Sequence, residues 1–112
     1  MTPTGTGLDD LVLRRIKEAY LAGKIRKTKD CLKDMARDGL FEADVEKVIM
    51  DATVIEKAMA ATSERASNPA NTHFVIHGAS TRGTEVYCKV CSNYHPTTSE
   101  FIGWKLTSFE NK

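Results

Sequence analysis

Long apolar runs are missing from this sequence: no stretch approaches the roughly 20 consecutive apolar residues that a membrane-spanning helix requires, so no membrane association is expected. The opening residues, Met1 to Asp10, have neither a basic start nor an apolar core. No secretory signal is therefore expected, and a cytoplasmic location is the simplest expectation. Cysteine is scarce and odd in number. Cys31, Cys88 and Cys91 cannot all pair within one chain, which argues against the even disulfide framework of small secreted domains. An excess of one charge is lacking too. A net charge of +1 is too small to hold nucleic acid by bulk electrostatics, although a local basic face remains open. There is no glycine-rich phosphate loop, because Gly78 and Gly83 bracket a turn between strands and not a strand-to-helix junction. A nucleophile elbow is absent, and few carboxylates accompany the histidines, which disfavours a transition-metal hydrolase. No cofactor is expected.

What is present is an ordinary globular composition, 41% hydrophobic and 28% charged over 112 residues, enough for one domain. Residues 1–7 read as a flexible lead-in and residues 8–112 as the domain. Leu8, Leu11, Val12, Ile16, Ala19 and Tyr20 recur at helical spacing, with Gly23 as the stop. Ile25 to Lys27 reads as a link. Thr28 suits the N-cap of a second helix with a Cys31, Leu32 and Met35 stripe, ended by Gly39. A third helix buries Val45, Val48, Ile49 and Ala52 and turns Glu42, Asp44, Glu46 and Lys47 to water. The period then changes. Val54 to Met59 can be read as an edge strand or as a continuing helix, the strand being favoured, and Ala60 to Asn71 as a mobile loop. Thr72 to His77 and Thr84 to Cys91 alternate as strands, Ser92 to Ser99 is a loop, and Phe101 to Phe109 is a last strand broken or bulged around Gly103. Helices followed by hairpin-linked strands predict an α+β fold, with N-terminal helices packed on one face of a curved antiparallel sheet.

Cys88 and Cys91 have the spacing of half a zinc site. Within a strand, however, positions three apart face opposite sides, no second pair exists, and only His95 and Cys31 remain to be recruited. The same divergence disfavours a redox pair. Strand alternation instead gathers polar side chains: His73 with His77, and Tyr87 with Lys89. Together with Lys57, Arg82 and Lys105 these are the groups a metal-free ribonuclease needs. Cleavage through the RNA 2′-hydroxyl requires a base, an acid and cations for the phosphate, and tyrosine can donate a proton or stack on a base. On this reading His73 or His77 is the acid or base, Lys57, Arg82 and Lys89 hold phosphate, and Tyr87 meets the scissile nucleotide. Lys105 is a further substrate-binding candidate. A helical basic band of Arg14, Arg15, Lys17, Lys24, Arg26, Lys27, Lys29 and Lys33 offers a second surface for RNA or an acidic partner. Taken singly, each of these residues is also what a solvated surface contains.

Five segments, in order, resemble the landmarks of the MqsR-type toxins: Ala22 to Thr28, Val45 to Met50, Ile55 to Met59, Gly83 to Lys89 and Leu106 to Lys112. The resemblance spans residues 8–112. It implies a RelE-like fold and an endoribonuclease that cleaves mRNA without a metal. It also implies a cognate antitoxin that binds zinc and is encoded by an adjacent gene. Lys57 matches the family's catalytic lysine and Tyr87 its catalytic tyrosine. The family's glutamine has no counterpart, His73 being the nearest substitute, and its terminal lysine falls on Glu110. The alternative expectation is a non-catalytic protein-binding or regulatory domain on the same fold.

Overall fold

The structure is a computed structural model that describes residues 6–60 and 71–112. Residues 1–5 of the expected lead-in and 61–70 of the expected loop lie outside the described residues. Thr6 and Gly7, read as lead-in, instead open the first helix, α1 (Thr6–Leu21). The chain continues through β1 (Ile25–Lys27), α2 (Lys29–Asp38), α3 (Glu42–Asp51), β2 (Lys57–Ala60), β3 (Thr72–Ala79), β4 (Glu85–Tyr94) and β5 (Phe101–Asn111).

The fold is α+β, with five strands in the order β1-β5-β4-β3-β2. The sheet is mixed and not purely antiparallel, because β1 runs parallel to β5. That strand was read from sequence as a link. Three residues are too few to show alternation, and their pairing partner lies almost 80 residues downstream. Such a parallel edge needs the helical crossover that α2, α3 and the rest of the sheet supply. β4 also runs three residues further than its alternation suggested, to Tyr94.

The core lies between the helices and one face of the sheet. Ile16 of α1, Cys31 and Met35 of α2, and Val45, Val48 and Ile49 of α3 pack with Ile76, Val86, Cys88, Val90, Leu106 and Phe109. Each such side chain contributes about 1.5–3 kcal/mol by leaving water. Thr28 caps α2 by accepting the Cys31 N–H at 3.2 Å. Gly39 stops it in the left-handed conformation at φ 68°, which glycine adopts without penalty. Leu32, expected in the buried stripe, is instead exposed.

Asp44 is the reverse case. Expected in water, it is 2% exposed. Phe41, the N-cap of α3, has no side-chain acceptor, so its N–H donates to Asp44 Oδ2 at 2.7 Å. Asp44 Oδ1 accepts the Thr81 N–H at 2.8 Å and the Thr81 hydroxyl at 2.7 Å. One carboxylate thus ties the start of α3 to the β3–β4 turn.

Candidate functional site

The sheet face turned away from the helical core is the one strand alternation selected, and cross-strand register sorts its side chains into three rows. The first row runs Met59, His73, Cys91, Lys105 and, on β1, Arg26. The second runs Lys57, Val75, Lys89, Ser108, and the third His77, Tyr87, Glu110. Side chains opposite one another in such rows stand about 4.5–5.5 Å apart at Cβ. A register shift between Lys89 and Val90, opposite Thr107, bends β5 beside the second row. The Thr107 hydroxyl closes it by donating to the Lys89 carbonyl at 3.2 Å.

Val75 stands at the centre. It is 2% exposed yet belongs to the face without helices, outside the core cluster. Among the described residues its cross-strand partners are Lys57 and Lys89, and His73 and His77 stand two residues away along β3. The two histidines are about 13 Å apart along the strand at Cα. An anion resting over Val75 therefore has an ammonium on each side and an imidazole at each end. The Tyr87 ring adjoins His77, with ring centroids 5.9 Å apart.

Electrostatics distinguish the two ends. Burial first, and the Lys89 ammonium second, hold the His73 imidazole below the usual histidine range. At pH 7 it is neutral and able to accept a proton. In any reaction that uses His73 as base, the acid limb of kcat/KM should fall below the ordinary histidine value of about 6.5. Lys89→Gln should move that limb upward, and pH–rate profiles of the two proteins check it. An unmoved limb would separate Lys89 from His73.

The carboxylates that the strands place on this face, Glu85 and Glu110, sit at the His77–Tyr87 end. Glu110 is held by Arg37 of α2 at 3.0 Å, and Arg37 also engages Asp34 and Asp38. Where the resemblance implied a lysine, the chain thus carries a carboxylate that shares Arg37 with Asp34 and Asp38. Lys112 lies near Glu85 at 3.9 Å.

Lys57, His73, His77, Tyr87, Lys89 and Lys105 therefore share one face, and Arg82 does not join them. Gly83 turns the chain back after Arg82, whose guanidinium donates to the Gly39 carbonyl at 2.7 Å, at the end of α2. Its position makes it part of the α2–α3 junction. The helical basic band also divides. Lys17 donates to the carbonyls of Met50 and Ala52, and Lys27 pairs with Glu42. Arg26 leaves the band altogether for the open face beside Lys105. Ile25 packs on the core, so once β1 pairs with β5 strand alternation turns Arg26 to the other face.

Cys88 is buried in the core while Cys91 lies in the His73 row on the other face, so the two sulfurs diverge. Burial pushes both thiols up, against the opposing pull of Lys105 and Lys89 on Cys91. Neither is a ready nucleophile. Cys31 lies in the core, and His95 Nδ1 accepts the Thr97 and Thr98 N–H groups at 3.1 and 3.2 Å, which fixes the β4–β5 turn. No described helix is long and apolar enough to cross a membrane. Comparison with protein-family models, with curated proteins and with solved structures finds no match for this chain.

Proposed function

We propose that this protein is a metal-independent endoribonuclease acting on mRNA, the toxin of a toxin–antitoxin pair of MqsR type. The observation that carries the reading is the ring around Val75: two lysines across the strands and two histidines along β3. The scissile phosphate rests over Val75 between the Lys57 and Lys89 ammoniums. Neutral His73 removes the 2′-hydroxyl proton, and the 2′-oxygen attacks phosphorus. As that bond forms, the bond to the 5′-oxygen breaks, and the leaving oxygen takes a proton from the His77–Tyr87 end. The products are a 2′,3′-cyclic phosphate and a 5′-hydroxyl, and no redox partner or metal enters the balance. The lysines neutralise the charge that grows on the phosphate, which is the larger part of such catalysis.

Tyr87 is assigned a hydroxyl role in addition to stacking. Tyr87→Phe keeps the ring and removes the hydroxyl, and it should slow single-turnover cleavage of a short RNA at least tenfold. A rate equal to wild type would reduce Tyr87 to a stacking platform.

A second reading is a non-catalytic partner-binding domain, favoured by Glu110 standing where the resemblance implied a lysine. Expression in a bacterial host separates the two. The toxin reading predicts growth arrest, relieved by a co-expressed neighbouring frame with two Cys-x-x-Cys pairs. Normal growth together with intact RNA would favour the binding domain.

A further inference from the structure

The ring around Val75 occupies only part of the open face, and the first row runs on from it, through Cys91 and Lys105, to Arg26. At about 4.8 Å per strand, Arg26 lies about 14 Å from His73, beyond the reach of the scissile nucleotide. There the surface sinks into a hollow of about 190 Å³ between Lys24, Arg26, Lys105, Asn93, Ile102 and Gly103.

Local backbone geometry builds this hollow. β5 is irregular at Gly103 without being interrupted, and the φ of 142° there is open to glycine and strained for other residues. The register against β4 shifts between Asn93 and Tyr94, which leaves Ile102 62% exposed. A Cβ at Gly103 would meet nothing within 4 Å, so the floor is bare backbone. Asn93 forms a fixed wall, its amide donating to the carbonyls of Cys91 at 3.3 Å and Gly103 at 3.4 Å. Lys24 and Arg26 are exposed, and with Lys105 they make no ion pair among the described residues.

We propose that this hollow is a second nucleotide subsite, which binds single-stranded RNA flanking the scissile bond. The inference rests on the ribonuclease reading of the same face. Lys105 and Arg26 take successive phosphates leading away from Val75, and an unstacked base lies on the bare Gly103 backbone against Ile102. A flat floor with an apolar side wall suits a base more than a carboxylate side chain, and the cations continue the line set by the phosphate ring. Duplex RNA cannot present an unstacked base to such a floor, so single strands are the ligand class.

Binding of a fluorescein-labelled single-stranded hexaribonucleotide, followed by anisotropy across a salt series, tests this. The double variant Lys24→Gln with Arg26→Gln should bind the hexamer about tenfold more weakly than wild type at low salt. The slope of log K against log salt should fall by about 0.7, since Arg26 holds one phosphate and each lost phosphate contact removes about 0.7 for a single strand. Binding of a dinucleotide should change less than twofold. Ile102→Ala should weaken the hexamer while leaving the slope unchanged, since it removes contact with a base and no charge. The charge-matched control Lys47→Glu, on α3, changes the net charge by the same two units and should match wild type. A Lys24/Arg26 variant with wild-type affinity and slope overturns the subsite while the cleavage reading stands, provided wild type still cuts RNA. Equal weakening by the Lys24/Arg26 variant and the Lys47→Glu control also overturns it, as a general charge effect. Displacement of the hexamer by a polyglutamate peptide at comparable concentration overturns it in favour of an acidic protein ligand. If the wild-type protein neither binds nor cuts RNA, both readings fall together.

Discussion

Replacing His73 with alanine should lower RNA cleavage by about 10²- to 10⁴-fold, the usual contribution of a positioned acid–base group. The environment of the imidazole marks its role, since burial and Lys89 both favour its neutral form. It is also half-buried at a strand position outside the core cluster, so its loss should leave the far-UV spectrum and melting temperature close to wild type. Two further readouts separate lost chemistry from lost structure. The acid limb of the pH–rate profile should disappear in the variant, and added imidazole should restore part of the rate. Cleavage within threefold of wild type would remove His73 from the chemistry and leave the His77–Tyr87 end to supply both proton transfers.

The second large effect is on stability. Asp44→Ala removes the acceptor for three donors at once, the Phe41 N–H and the Thr81 N–H and hydroxyl. It undoes both the helix cap and the tie to the β3–β4 turn. A loss of about 2–4 kcal/mol is expected from a lost cap plus buried donors left without partners. That is a large fraction of the roughly 5–15 kcal/mol that holds a domain together. The effect should also depend on pH. Burial alone would raise the Asp44 pKa. The hydrogen bonds from Thr81 and Phe41, helped by the nearby Arg82 charge, outweigh it and leave the carboxyl below its usual value. A carboxyl depressed in the folded state stabilises fully above its unfolded pKa of about 3.9, and that stabilisation is lost as pH falls through the folded value. Urea unfolding at pH 7 should show the full difference between wild type and variant, and the same experiment near pH 3 a smaller one. A difference under about 0.5 kcal/mol at pH 7 would mean that water replaces the carboxylate at no cost.

Much of this site is legible in the sequence because strand alternation is a strict rule. His73 and His77 must share a face, as must Tyr87 and Lys89, whatever the strands pair with. The short turn after Ala79 then brings His77 opposite Tyr87. The ring itself is not legible. It needs the offset of Lys57 against Val75, which depends on how β2 pairs across a long connection, and no local signal sets that. Arg82 escaped for a related reason, since a turn residue carries no face and its partner, the Gly39 carbonyl, is distant in sequence. Asp44 misled because an acidic residue in the first turn of a helix ordinarily points to water. Here Phe41 cannot cap with its side chain, and the turn at Thr81 closes over the carboxylate. β1 hid in three residues, and with it went the placement of Arg26 beside Lys105. The α+β class followed from the order of the elements, whereas the parallel edge depends on a contact between Ile25–Lys27 and the distant β5.

The most direct test of the site over Val75 is product analysis on paired substrates. Purified protein is incubated, with chelator present, with a single-stranded RNA and with the same sequence carrying 2′-deoxy sugars. Cleavage of the RNA alone, leaving 2′,3′-cyclic phosphate and 5′-hydroxyl ends, is the predicted result. An RNA left intact, or a deoxy strand cut equally well, would contradict the assignment of this face to 2′-hydroxyl chemistry.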